Sequence, residues 1–160
     1  MCGIVGLFLK DKSLEPELGN LLTEMLVTMT DRGPDSAGIA IYGASRDGVS
    51  KITIQSANAS QDFAGLEAER GKAIGAKVKL SEISTHAVIE VPSDKVEAAR
   101  TAIQSLRPNV RVMGSGEAIE IYKEVGLPED VAKRFKVSGM SGTHGIGHTR
   151  MATESAVTTM

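Results

Sequence analysis

Cysteine occurs once in the 160 residues, at position 2, directly behind the initiator methionine in Met1-Cys2-Gly3-Ile4-Val5-Gly6. Initiator methionine is normally trimmed when the second residue is small, and Cys2 would then carry a thiol and a free α-amine on one residue. The amine, with an ordinary pKa of about 7.7, is suited to taking the thiol proton near neutrality and returning it to a leaving group. Taken alone, Cys2 reads better as a small apolar residue opening a buried strand.

Two further segments are dense in groups that act on charged or carbonyl substrates: Asp31-Arg32-Gly33-Pro34-Asp35-Ser36-Ala37-Gly38, and Gly147-His148-Thr149-Arg150-Met151-Ala152-Thr153. An arginine fork can hold a carboxylate through two parallel charged hydrogen bonds. His144 and His148 stand four apart, but Gly145 and Gly147 make a helix there improbable, and in a strand the pair shares one face. With no third ligand nearby, hydrogen-bonded strand histidines are expected rather than a metal site, and His86 is expected to be structural. Gly145 and Gly147 fit neither nucleotide-binding glycine pattern.

In this order the three segments resemble the class II glutamine amidotransferases, whose glutaminase domain is an N-terminal-nucleophile hydrolase. The likeness covers about the first 45 residues and the last 20. The long interval between second and third motifs, with Met151 and Glu154 where aminosugar-synthesising members carry Trp and His, resembles the glutamate-synthase-related GlxB-type branch. The resemblance implies that Cys2 attacks the side-chain amide of glutamine, with Arg150 and Thr153 binding the substrate carboxylate. It makes Gly3, Arg32 and Asp35 supports of the site, with Gly33 and Gly38 lending the second motif unusual backbone freedom. It implies no cofactor and no metal, and a synthase subunit that accepts the ammonia, in a homo- or hetero-oligomer.

The resemblance also implies an Asn-Gly pair that builds the oxyanion hole and an Asp that binds the substrate amine, both downstream. Asn20, Asn58 and Asn109 are followed by Leu, Ala and Val. Since one lost oxyanion donor costs a factor of about 100 to 1,000 in rate, the chain is expected to be the N-terminal part of such a domain and nearly inactive alone. A competing expectation is a non-catalytic binding or regulatory module, which a retained Met1 would favour by blocking the amine. The asparagine-synthetase branch shares the Arg-Gly-Pro-Asp wording but needs an ATP-using domain.

The elements that must position these residues follow from patterning. A chain of this size suffices for one domain, and 41% apolar and 24% charged residues are ordinary for a globular protein. Aromatics make up 3% with no Trp, so the core must rest on aliphatic side chains. A net charge of −2 and no basic stripe argue against nucleic acid as the main partner. The apolar run 3–9 is too short to cross a bilayer and lacks a basic leader, so no membrane role and a cytoplasmic location are expected. One cysteine makes no internal disulfide.

The run 3–9 reads as a buried strand. Ser13 is placed to cap a helix that tolerates Pro16 in its first turn, and Leu18, Leu21, Leu22, Met25, Leu26 and Met29 fall on one face. Residues 39–42 read as a second strand, and Asp47-Gly48 as a turn into 49–55, its hairpin partner. A short helix and loose connection are expected over 56–80. Then come a strand over 84–91, a helix capped by Ser93 with Val96, Ala99, Ile103 and Leu106 on one face, strands at 110–113 and around 119–121, and a helix opened by Pro128. The expected fold is α/β (α+β): a four-layer αββα sandwich, truncated at its C-terminus, over residues 1–160, with a small α+β unit inserted at 84–136.

Overall fold

A computed structural model describes residues 2–152. The fold is α+β, with two four-stranded antiparallel sheets, and it divides into two compact units. The first unit takes the chain up to Ala44 together with the chain from Ile121 onward, and the second is Ser45–Glu120. The second unit therefore shares 84–120 with the expected insert, begins earlier, and leaves the Pro128 helix to the first unit. The reason is strand pairing: residues 49–55 join the sheet that holds 86–92.

In the first unit the strand order is β1 (Gly3–Phe8), β8 (His144–Arg150), β2 (Ser36–Tyr42), β7 (Ile119–Val125). Both β1 and β2 run antiparallel to β8. Side chains alternate across a strand, so Val5, Ala37, Ile39 and Ile41 line one face, all at most 6% exposed. Helix α1 (Leu18–Val27) covers that face with Leu18, Leu22 and Leu26, the buried members of the predicted stripe. The helix lies close because β8 presents glycine toward it. A Cβ on Gly145 would stand 2.8 Å from Leu22 Cδ2, and one on Gly147 2.8 Å from Leu26 Cδ1. The opposite face holds Ile4, Phe8 and Ile146, 71%, 66% and 46% exposed, and His144 stacked on Tyr42 at 4.0 Å.

The start of α1 differs from expectation. Asp11, not Ser13, is the capping acceptor: its carboxylate receives the Ser13 N–H at 2.9 Å, opening a 3-10 turn (Lys12–Glu17) that contains Pro16. Hydrogen bonds from the Ser13 hydroxyl and backbone hold the Asp11 carboxyl below the usual range. Only after that turn does the α-helix begin.

In the second unit the order is β4 (Lys79–Ile83), β5 (His86–Pro92), β3 (Val49–Gln55), β6 (Arg111–Gly116). The turn at Gly48 forms, with φ +72° and Val49 N–H donating to the Arg46 carbonyl at 3.1 Å. It does not make a hairpin with β2, because β3 pairs with β5 and β6 instead. Residues 56–80 hold α2 (Ala59–Asp62) and α3 (Leu66–Ile74). The core gathers Ile52, Ile54, Ala87, Ile89 and Val91 from the sheet under Leu66 and Ile74 of α3 and Ala99 and Ile103 of α4 (Val96–Leu106). Ser93 does not cap α4; its hydroxyl meets that of Ser50 at 2.9 Å.

Candidate active site

The three motifs meet at one end of the first sheet, and strand register brings them there. Gly3 of β1 and Ala37 of β2 both face Thr149 of the central strand β8. One step further, Ser36 is paired with Arg150, and Pro34 forms a parallel bridge to the same residue. Cys2 directly precedes β1, next to Gly3, whose partner Thr149 directly precedes Arg150. Cys2 is a free and exposed thiol, the condition for a cysteine that reacts with a small molecule.

The second motif acts as a brace. Gly33 is buried with its backbone against β8: a Cβ there would sit 2.5 Å from Arg150 N and 2.6 Å from Thr149 C. Asp35 then ties three segments together. Its N–H donates to the Arg150 carbonyl at 3.1 Å, its carbonyl accepts from Gly126 N–H at 2.9 Å, and its carboxylate accepts from Ala152 N–H at 2.7 Å. The carboxylate therefore holds the chain that leaves β8 just beyond Arg150.

The expectation of unusual backbone freedom at Gly33 and Gly38 is corrected. Gly33 has φ −169°, which is extended backbone open to any residue. Its requirement is the close approach of β8. Gly38 lies inside β2, where a Cβ would have only ordinary contacts, the nearest at 3.7 Å. Gly3 is tight for a similar reason to Gly33, since a Cβ would lie 2.9 Å from Thr149 Oγ1 and 3.2 Å from Met29 Cβ. Thr149 is fully buried and donates its hydroxyl to the Met29 carbonyl at 3.3 Å.

Arg150 is half-buried, and Arg32 is exposed at the end of a short 3-10 turn (Thr30–Arg32). Thr153 lies outside the described residues. His144 has its Nδ1 2.9 Å from the Thr143 hydroxyl and shares a strand face with His148. Among the described residues no group of three or more His, Cys, Asp or Glu is gathered to hold a metal ion, and no helix is long and apolar enough to cross a membrane.

Sequence reasoning missed Met29 and Gly126 as parts of this end of the sheet, and gave Pro34 and Ala152 no role beyond their place in the motifs. Met29 and Ala152 contribute mainly backbone groups, and their roles depend on register, which no local pattern encodes.

Fold and site together define an α+β protein in which an exposed Cys2, a braced Arg-Gly-Pro-Asp loop and a strand-end arginine lie at one end of an antiparallel sheet. The chain is similar along its whole length to the glutamine amidotransferase-like protein GlxB of Rhizobium meliloti, at 59% identity over 160 residues, which make up 53% of that protein. It is also 31% identical over 165 residues to a putative glutamine amidotransferase of Methanothermobacter thermautotrophicus, a match taking in 98% of this chain and 54% of that one. The chain thus spans about half the length of the curated relatives it matches. No protein-family model matches it. The two relatives support a kinship with glutamine amidotransferases.

Proposed function

We propose that the chain is the nucleophile-bearing part of a class II, N-terminal-nucleophile glutamine amidotransferase of the GlxB-type branch. The observation that carries the reading is the convergence of Cys2, the 32–36 loop and Arg150 at one end of the first sheet. With Met1 removed, the Cys2 amine takes the thiol proton and the sulfur attacks the side-chain carbonyl carbon of glutamine. The tetrahedral adduct collapses as the amine returns the proton to the departing nitrogen, releasing ammonia and leaving a thioester. Water then adds to the thioester, the C–S bond breaks, and glutamate leaves with the thiol restored.

Arg150 suits the substrate α-carboxylate because it follows Thr149, the strand partner of the Gly3 next to Cys2, and Thr153 follows three residues on. Asp35 and Gly33 fix the backbone that aims Arg150, Gly3 lets β1 lie against Thr149, and Arg32 completes the loop. Ammonia passes to a partner synthase. The reading also places the first sheet in a four-layer αββα sandwich. Its exposed Ile4, Phe8 and Ile146 fit a face that a second sheet covers.

The test is an intact mass of the protein, expressed in cells, before and after exposure to a diazo-ketone analogue of glutamine. The expected result is loss of Met1 and one covalent adduct, mapped to Cys2 and absent from Cys2→Ser. A chain that retains Met1 and takes no adduct overturns the reading, whereas a trimmed chain whose Cys2 reacts with iodoacetamide but not with the analogue means that the glutamine pocket is not built by these 160 residues alone.

A further inference from the structure

The second unit contains a cavity of about 310 Å³, at the small end of the range that ligand pockets occupy. Its floor belongs to the unit's core: Val78 and Val91, 5% and 1% exposed. Its rim is cationic. Arg46, Lys77 and Lys79 surround a single carboxylate, Glu90, leaving a formal excess of two positive charges (three minus one). Glu90 is paired with Arg46, and Lys79 Nζ lies 3.9 Å from its carboxylate. The Lys77 ammonium has no ion-pair partner among the described residues.

The walls are built independently of any occupant. The turn carrying Arg46 closes on itself through Val49 N–H and the Arg46 carbonyl. It is bound to the end of β5 by Ser93 N–H donating to the Gly48 carbonyl at 2.9 Å, and by the Ser50–Ser93 hydroxyl pair. β4 supplies the facing wall, since Lys79 is the register partner of Glu90. Cross-strand pairing of opposite charges accounts for Lys79 and Glu90. It does not account for the additional cations over an apolar floor.

We propose that this cavity binds a small organic anion. The anionic head meets Lys77 and Lys79 at the rim, and a short apolar body lies on Val78 and Val91. The site is separate in kind from the glutamine reading: it uses no residue of the Cys2 motifs and stands if that reading fails.

The probe is sodium hexanoate, titrated into the full 160-residue chain and followed by amide chemical shifts. Hexanol, which keeps the body without the charge, and inorganic phosphate, which keeps charge without the body, are titrated beside it. Saturable shifts confined to the residues around Gly48, Val78 and Val91 are expected, with hexanoate binding at least tenfold more tightly than either control. Affinity should fall as salt is raised and fall at least tenfold in Lys77→Glu/Lys79→Glu. Both lysines are exposed, so the double variant should keep its circular dichroism; if it does not, Lys77→Gln/Lys79→Gln replaces it. Shifts that fail to saturate overturn the proposal. So does hexanol or phosphate matching hexanoate, or binding indifferent to the lysine changes.

Discussion

At the scale of single residues, the candidate site depends on backbone proximity as much as on reactive groups. Gly33 lets the second motif lie against the end of β8, beside Arg150. Gly33→Ala puts a methyl where Arg150 N and Thr149 C already stand, and both obstacles are main chain, so neither can swing aside. Overpacking of this kind costs on the order of 1–3 kcal/mol, and here the displacement falls on the strand that carries Arg150. The expected outcome is slower labelling of Cys2 by the diazo-ketone analogue, with labelling by iodoacetamide unchanged, since the small reagent needs only an exposed thiol. Equal slowing of both reagents would mean that the substitution disturbs Cys2 itself rather than the geometry around Arg150. The residue types were legible in the sequence, and so was their grouping into three motifs. The reason for Gly33 was not, because a glycine needed for closeness and one needed for a left-handed turn look alike in a sequence.

At the scale of elements, α1 was the most legible part of the fold. Leucines and methionines at three- and four-residue spacing need only the helix to decide which face is buried. The strands were less so. β3 is central and buried on both faces over most of its length, so the local turn at Gly48 did not reveal its partners. β4 offers only Leu80 and Ile83 as apolar residues, too few for a visible alternation. Helix α1 also shows propensity and packing in opposition. Gly19 lies in its first turn, where alanine is worth about 1 kcal/mol more than glycine by helix propensity. Yet a Cβ there would stand 1.9 Å from the Val137 carbonyl oxygen and 2.7 Å from that of Met140, and Gly19 N–H donates to the Met140 carbonyl at 2.9 Å. Packing should win: Gly19→Ala is expected to be destabilising by about 1–3 kcal/mol, read as a lower urea midpoint. An unchanged or higher midpoint would show that residues 137–140 yield without loss.

At the scale of the whole molecule, the sequence reading of one domain with an insert met a chain with two cores. One lies beneath α1, with Leu22, Val5 and Ile39; the other gathers residues between Ile52 and Val110. Contiguity misled the boundary, because a unit is closed by the strands that pair, and the partners of β5 include a strand more than 30 residues before it. Two separate cores make a distinct energetic prediction. Leu22 and Ile89 are both fully buried, so truncating either to alanine should cost about 2–5 kcal/mol. The two tyrosines, Tyr42 and Tyr122, both belong to the first unit, and the chain has no Trp. Tyrosine fluorescence therefore follows the first unit, whereas far-ultraviolet circular dichroism follows both. In urea, Leu22→Ala should lower the tyrosine midpoint. Ile89→Ala should pull part of the dichroism transition to lower urea and leave the tyrosine midpoint in place. If Ile89→Ala moves the tyrosine signal as far as Leu22→Ala does, the cores unfold as one, and the division into two units is geometric without being energetic.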